Sequence, residues 1–466
     1  MERRVVILGI PVSSRQILLV LGDVFALLAA AYIGHFIRLG LLSSQTMPFL
    51  DIVEQTTGAT VFFVVVHLVF LYLADGYNPR QDFRAVRLML RMWAALVAAF
   101  LALMALSYAA PNWAWGRGVA LGSFLAFAVL AGLWRLVFAH LGLHPRNLRR
   151  LGLVGAPADI EKAVELVKRV PDLSDTYEVF DDNGSPLFAY PIEGLEHHVA
   201  EIELHRVRQL VVIAPPPLPA NSYESLVALK ARGSKIADVG TFISTSIGRL
   251  PIHHMDFGDM LYGPGFDEPS PFVKQLARAI DVVLATVGLL VTSPLLAVGM
   301  ILVRLTSKGP IFYSQERIGQ YEVPYRIFKL RTMYVDAEAR TGPVWSKGAA
   351  DPRVTPAGRF LRRSRIDELP QFFNVIRGDM SLVGPRPERE PFVSQLKEAI
   401  PFYGLRFAVK PGITGWAQVS YGYGANTEDA RVKLEYELYS IRNMNPVLYL
   451  LILLKTVQTV LVRAGS

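Results

Sequence analysis

Residues 282–303 read VVLATVGLLVTSPLLAVGMILV, an uncharged apolar run with the pair Ser293-Pro294 near its middle. At about 1.5 Å of rise per residue, such a helix is long enough for a bilayer core of roughly 30 Å. Both flanks are basic: Lys274 and Arg278 precede the run, and Arg304, Lys308 and Arg317 follow it. Positive charge beside an apolar helix marks the cytoplasmic side. Proline removes one helix hydrogen bond and crowds the preceding turn, at a cost of about 3 kcal/mol. In lipid the freed carbonyl needs another donor, and the Ser293 hydroxyl is at hand. Two basic flanks and a central break predict a re-entrant helix over residues 279–304, broken at Ser293 and Pro294, that enters and leaves one face. The competing reading is a kinked crossing. It would put residues 304–466 on the far side, away from nucleotide-activated substrates.

The rest of the chain supports a membrane setting. Only 19% of its 466 residues are charged, 52% are hydrophobic and the mean hydropathy is +0.32. Soluble domains carry about 25% charged residues. These values exclude a disordered chain and argue against a soluble enzyme. There is no Cys, which excludes disulfides, thiol nucleophiles and cysteine metal sites. The net charge of +8 suits anionic partners such as phospholipid, phosphate substrates or nucleic acid.

Residues 1–150 hold 13 Arg, 6 acids and no Lys. Between these charges lie four apolar stretches, 17–37, 59–73, 92–109 and 119–139. Asp23 interrupts the first and is expected to face a neighbouring helix; Arg135 interrupts the last and is expected to snorkel. No small-residue cleavage site follows the first stretch, so it reads as a retained helix. Arginines cluster at Arg3, Arg4 and Arg15, at Arg80, Arg84, Arg87 and Arg91, and at Arg146, Arg149 and Arg150. The other two loops hold only Arg38 and Arg117. The N-terminus therefore reads as cytoplasmic, with four crossings and everything after residue 140 inside.

Residues 146–262 change character. A strand, a Gly turn and a helix start begin at Arg150, and a helix-then-strand rhythm ends at 209–214, which predicts a small parallel α/β module. Gly152, Gly155 and Ala156 echo the dinucleotide fingerprint. The third Gly is missing, and Pro157 and Asp159 stand where backbone should approach a pyrophosphate. The module reads as degenerate Rossmann-like, structural or regulatory. His253-His254 is a poor metal pair because adjacent strand side chains diverge. A Gly/Pro-rich linker spans 263–272. The expected organisation is a four-helix transmembrane domain over 1–145, the α/β module over 146–262, the linker, and a mostly α, membrane-associated catalytic domain over 273–466.

No His lies after residue 254. Chemistry in the last portion must use carboxylates, Lys, Arg, Tyr, Ser or a metal. Between Asp351 and Gln371 the chain carries Arg353, Arg359, Arg362, Arg363 and Arg365, then the adjacent acids Asp367 and Glu368. Pro370 is allowed in a first helical turn, so a helix beginning near Ile366–Asp367 would set both acids at a positive helix end beside the arginines. Such surroundings keep carboxylates ionised and bind phosphate oxygens. The bland alternative makes Asp367 a cap and the arginines a solvated or headgroup face.

Seven consecutive blocks weigh against the bland alternative: KGPIFYSQERIG (308–319), FKLRTM (328–333), DPRVT (351–355), GRFLR (358–362), DELPQ (367–371), NVIRGDMSLVGPRP (374–387) and KPGITGWAQ (410–418). In this order they resemble the bacterial sugar transferase family, polyprenyl-phosphate hexose-1-phosphate transferases that start exopolysaccharide or O-antigen assembly. The resemblance is strong after residue 270 and weak before it, where the chain looks like the large form of that family. It implies that Asp367 and Glu368 are catalytic and work with Mg²⁺. It implies that the Asp attacks the sugar-bearing phosphate of a UDP-sugar and releases UMP, after which undecaprenyl phosphate takes the phosphosugar. Lys329, Arg331, Arg353, Arg359, Arg362 and Arg386 are the expected phosphate-binding residues. The implied setting is the bacterial inner membrane, with the catalytic domain on the cytoplasmic face against phospholipid. A homodimer fits the large form; nucleic acid is not an expected partner.

The sequence departs from the family after Gln418, where Val419–Asn426 replaces a short basic segment and no Arg appears until Arg431. Tyr421 and Tyr423 there could stack on uracil or sugar, or simply pack. Residues 446–462 read as a final helix, at the interface or packed on the catalytic core. Two other functions compete. A membrane-anchored nucleotide-sugar dehydratase or epimerase would use Tyr325 and Lys329, but the glycine fingerprint is incomplete. A non-enzymatic membrane nucleotide sensor leaves the acid–arginine blocks unexplained.

Overall fold

The computed structural model describes residues 4–7, 10–37, 49–77, 86–109, 115–140, 149–169, 177–178, 188–214, 218–252, 258, 266, 271–335, 337, 351–422 and 426–464. His253, His254, Tyr423, Arg146 and most of the expected linker lie outside them. The chain divides into two compact units, one within Pro11–Val239 and the other from Gly240 onward.

The first unit opens with four helices, Ser14–Phe36, Phe49–Leu73, Val86–Ala109 and Arg117–His140. All four expected apolar stretches are helical. Three reach, over Ser14–Phe36, Leu88–Ala105 and Arg117–His140, the length and apolarity of a membrane span; the described apolar part of the second, Thr57–Leu73, is shorter. The first helix starts at a reciprocal cap: Ser13 Oγ accepts from the Gln16 N–H at 3.1 Å, and Gln16 Oε1 accepts from the Ser13 N–H at 2.9 Å. Its buried face is Leu19, Asp23, Leu27, Ala30, Ala31 and Gly34, the three- and four-residue spacing of a single helical stripe. That stripe packs on Phe124, Phe127, Ala128 and Ala131 of the fourth helix.

Asp23 and Arg135 are paired with each other. The guanidinium forks onto the carboxylate, with Nη2 donating to Oδ2 at 2.7 Å, and both side chains are buried. Arg135 therefore does not snorkel. Inside an apolar bundle a bidentate partner on the facing helix leaves the charge better satisfied than a long reach to the interface would.

The same unit contains a parallel sheet of order Tyr177–Glu178, Arg149–Gly155, Gln209–Ile213, Lys235–Asp238, with Ala189–Pro191 also pairing on Arg149–Gly155. The parallel α/β expectation holds. Gly155 has a packing reason: a Cβ there would lie 2.6 Å from the Ile213 carbonyl oxygen of the next strand. The glycine admits a neighbouring strand, a need independent of any phosphate.

The second unit is built around a helix of 36 residues, Pro271–Thr306, with Pro294 inside it. Residues 273–306 have the length and composition of a membrane span. The helix runs without interruption through the expected break at Ser293 and Pro294: Pro294 leaves the Leu290 carbonyl without its usual donor, and the Ser293 Oγ donates to it at 2.8 Å. Two residues at the front of this helix grip the rest of the unit. Arg278 donates to the Val375 and Ile376 carbonyls at the end of the helix Gln371–Arg377, where cations are favoured. Asp281 is buried and accepts from the Leu382 N–H at 2.9 Å, Ser381 Oγ at 3.1 Å and the Tyr449 hydroxyl. Further on, Leu296 and Val303 pack with Leu330, Leu361 and Ile366. Each fully buried leucine contributes about 1.5–3 kcal/mol, and this cluster places Ile366, the neighbour of Asp367, against the long helix.

The final helix, Pro446–Ala464, packs on the core of the unit through Leu448, Tyr449 and Ile452 and exposes Val447, Leu450, Val457 and Val460.

Candidate active site

Three backbone devices bring the motif blocks together. The hairpin Phe312–Ile318 with Pro324–Leu330 sets Lys329 on its second strand. Tyr325 and Lys329 thus share one face of a strand, and burial pushes the Tyr325 phenol up, away from any role as a ready acid or base.

The second device is the start of the acidic block. The expected helix begins as a single 3₁₀ turn, Ile366–Glu368, and regular helix resumes at Gln371. Arg365 precedes the turn with φ +59°, a left-handed conformation that a non-glycine residue adopts at some cost. Upstream, the helix Pro356–Arg363 has the starting signals its sequence promises: Thr355 Oγ1 accepts from the Gly358 N–H at 3.0 Å and Pro356 occupies the first turn.

The third device joins GPRP to KPGITGW. Ser381–Val383 and Gly412–Thr414 form a short parallel pair. The Gly384 N–H donates to the Thr414 carbonyl at 2.8 Å, and the Gly412 N–H to the Pro385 carbonyl at 2.9 Å. A Cβ on Gly384 would sit 2.3 Å from the Lys410 carbonyl oxygen, and one on Gly412 would sit 2.1 Å from the Gly384 nitrogen. These glycines let two backbones touch, and the loop so fixed presents Arg386.

Around the acids the charge is lopsided. Glu368 Oε1 accepts from Lys329 Nζ at 3.1 Å and Arg386 Nη2 at 2.9 Å, and Arg365 Nη1 stands 3.4 Å from Oε2. Burial alone would raise the Glu368 carboxyl, but these three cations hold it far below the usual carboxylate range. Asp367 differs. It is 6% exposed, and its Oδ1 is buried without a hydrogen-bond partner. Burial first, then the neighbouring Glu368 charge, push its carboxyl up to about 6, against the opposing pull of Lys329, Arg362 and Arg365. A buried carboxylate oxygen without a partner is costly and uncommon. Of the two acids, Asp367 is the one with a carboxylate oxygen that no cation or N–H already engages.

Of the expected basic residues, Lys329 and Arg386 meet at Glu368, and Arg362 lies close enough to act on Asp367 while its Nε donates to Thr332 Oγ1 at 2.9 Å. The other three point elsewhere. Arg331 Nη2 donates to Ser307 O and Oγ, both at 2.8 Å, and Arg353 pairs with Asp351 at 2.6 Å. Arg359 is exposed on the helix Pro356–Arg363. Arg365 also reaches the acids and is not among the expected phosphate-binding residues; its place two residues before Asp367, in a run of arginines, is the signal for it. Tyr421 takes the packing role: its hydroxyl donates to Asp429 at 2.9 Å and its ring lies beside Tyr436. Arg431 pairs with Glu428 and Glu435.

Mg²⁺ requires several hard oxygen ligands. Among the described residues no group of three or more His, Asp or Glu could hold a metal. The unpartnered Asp367 Oδ1 fits one ligand position. Glu368 is adjacent, with its oxygens engaged by cations.

A family model described as bacterial sugar transferase matches residues 272–463. Three curated relatives are similar over part of the chain. One is the UDP-N-acetylgalactosamine-undecaprenyl-phosphate N-acetylgalactosaminephosphotransferase of Aeromonas hydrophila, 41% identical over 225 residues, 48% of this chain and 51% of that one. A putative undecaprenyl-phosphate N-acetylgalactosaminyl 1-phosphate transferase of Bacillus subtilis (strain 168) is 47% identical over 131 residues, 28% of this chain and 72% of that one. The UDP-glucose:undecaprenyl-phosphate glucose-1-phosphate transferase of Escherichia coli (strain K12) is 43% identical over 183 residues, 38% of this chain and 39% of that one. The chain thus spans about half the length of the first and less of the third.

Proposed function

Because the chain belongs to the bacterial sugar transferase family, we propose that it transfers a hexose-1-phosphate from a UDP-sugar to undecaprenyl phosphate and releases UMP, in exopolysaccharide or O-antigen synthesis. The observation that carries this reading is the unpartnered Asp367 Oδ1 set among Lys329, Arg362, Arg365 and Arg386. Donor, acceptor and nucleophile are all anionic, so their approach depends on fixed positive charge. In the proposed reaction a carboxylate oxygen of Asp367 attacks the sugar-bearing phosphorus. The bond from that phosphorus to the oxygen bridging to UMP breaks, and an acyl phosphate forms. An oxygen of the polyprenyl phosphate then attacks the same phosphorus. The Asp367 oxygen leaves as carboxylate, and the product is a polyprenyl diphosphate sugar.

Lys329, Arg362 and Arg386 would hold phosphate oxygens, with Arg365 beside them; Arg331, Arg353 and Arg359 would act from further out. Asp367 and Glu368 would hold Mg²⁺ together with donor phosphates, and the ion supplies charge neutralisation and Lewis acidity when bound. Glu368 can turn to that role as incoming phosphates take over its cations. We place the catalytic domain, 273–466, on the cytoplasmic face of the inner membrane, with 279–304 re-entrant about Ser293 and Pro294. The module expected over 146–262 keeps its degenerate Rossmann-like reading for the part within the first unit, up to Val239, and a homodimer fits the large form. Since the chain lacks Cys, single cysteines at Ser270 and Lys308 test the topology: both should label only from the cytoplasmic side, and opposite-side labelling would make the helix a crossing.

The test of function is UMP release from UDP-glucose, UDP-N-acetylglucosamine and UDP-N-acetylgalactosamine with undecaprenyl phosphate and Mg²⁺. One donor should release UMP and yield a lipid-linked diphosphate sugar. No release from a broad donor panel by folded protein in membranes would reject the reaction.

A further inference from the structure

Behind the site lies a second charged assembly that touches neither acid of the dyad. Arg406, in the turn Tyr403–Ala408, and Glu437, in the helix Thr427–Asn443, are 5% and 5% exposed. They form a fork-to-fork pair: Arg406 Nε donates to Glu437 Oε2 at 3.0 Å and Nη2 to Oε1 at 3.0 Å. Arg406 Nη1 also donates to the Tyr403 hydroxyl at 2.6 Å. An ion pair so deeply placed is a poor way to gain stability, because desolvation offsets most of the attraction and apolar replacements often do as well. Its remaining bonds suggest why it is there. Arg406 Nη2 donates to the carbonyl of Arg386 at 2.8 Å, and Glu437 Oε1 accepts from the Arg386 N–H at 3.4 Å. Both backbone polar groups of Arg386 end on this one pair. Pro385 and Pro387 restrict the backbone on either side. The Arg386 side chain makes a different contact: its Nη2 reaches Glu368 Oε1 at 2.9 Å.

We infer that Arg406 and Glu437 are positioning residues that fix the backbone of Arg386, and hence the reach of its guanidinium to the acidic dyad and to the phosphate brought there. This inference rests on the reaction proposed above. Misplacing a charge-stabilising group by about 1 Å can cost on the order of a hundredfold in rate. The loss should fall on kcat more than on the donor KM, since Arg386 does most of its work on charge that develops during transfer.

The experiment is a double-mutant cycle on UMP release by the full-length membrane protein. Glu437→Gln should lower kcat about 10–100-fold. In an Arg386→Ala background the same substitution should cost less than about twofold, because a positioning residue has nothing left to position. Equal losses in both backgrounds would show that Glu437 only supports the fold and would overturn the inference. Arg406→Lys is the second variant. It keeps the buried positive charge but cannot reach Glu437, Tyr403 and the Arg386 carbonyl together, and it should show the same background dependence. A structure of Glu437→Gln gives an answer independent of turnover. The inference expects the Arg386–Glu368 contact to be lost while the Lys329–Glu368 contact stays. An unchanged Arg386 contact would reject it. If the wild-type protein transfers no phosphosugar, the proposed reaction falls, and this structural comparison still decides the positioning role.

Discussion

Each unit of the molecule buries an acid beside arginine, and the two arrangements differ in one respect. In the helical bundle, Asp23 and Arg135 close on each other through two bonds, so both carboxylate oxygens are taken by one partner. In the second unit, Glu368 absorbs Lys329, Arg365 and Arg386, while Asp367 beside it keeps an oxygen that is buried and unpartnered. The first arrangement leaves no carboxylate oxygen open and joins two helices. The second leaves a carboxylate poised in positive potential, which is costly for a fold and useful for chemistry.

The comparison breaks most readily at Asp367. Asp367→Asn keeps the size and removes the anion. Turnover per folded molecule should fall about a thousandfold or more, as when a nucleophile is removed. Thermal stability should hold or rise, because an uncomfortable buried carboxylate is gone. Wild-type turnover in this variant would leave Asp367 without a catalytic role; the structure already gives the cap position of its turn to Arg365.

The bundle should respond in the opposite way. Asp23→Ala strands the Arg135 charge and should cost about 3–5 kcal/mol of stability, read by thermal denaturation in detergent. The pair of changes Asp23→Leu and Arg135→Met should recover most of that loss. Turnover of the molecules that remain folded should change little. A loss of catalysis that outruns the loss of folded protein would assign the bundle a direct part in the reaction.

A smaller effect follows from the raised Asp367 carboxyl. Attack needs the carboxylate, so turnover should fall as pH drops through about 6. Stability should move the other way. The folded pKa lies above the ordinary aspartate value, so the fold favours the protonated form. That stabilisation is complete below about pH 4 and is lost as pH rises through about 6. The stability of metal-free wild type minus that of Asp367→Asn should decline across this range, a difference that removes the opposite contribution of the depressed Glu368 carboxyl. A rise in that difference over the same window would mean that Asp367 is held ionised by its cations.

Much of this was legible from residues alone. Apolar runs between arginines gave the four helices, because burial in lipid demands long uncharged stretches. Thr355-Pro356 gave a helix start through local bonding. The dyad and its basic setting were visible as adjacent letters. What could not be read was partner choice over long sequence distances. Asp23 and Arg135 are 112 residues apart, and each looked like an isolated interruption. Lys329 and Arg386 converge on Glu368 from separate blocks, whereas Arg331 and Arg353, in equally basic blocks, turn to Ser307 and Asp351. Pattern marks which residues are charged; the fold decides which carboxylate they meet. Asp281 was hidden for a related reason. It sits at the edge of an apolar run, and its role appears only once the backbone of Leu382 is seen to end on it.

The central claim is that Asp367 carries the phosphosugar between donor and lipid. The direct measurement is mass analysis of the purified protein after incubation with its UDP-sugar and Mg²⁺ in the absence of undecaprenyl phosphate. The account predicts about one equivalent of UMP per active site and a hexose-phosphate mass on the peptide containing Asp367. Undecaprenyl phosphate should then discharge that mass, and Asp367→Asn should show neither event. UMP released only when the lipid is present, with no mass gained at any stage, would contradict it and make transfer direct between the two substrates.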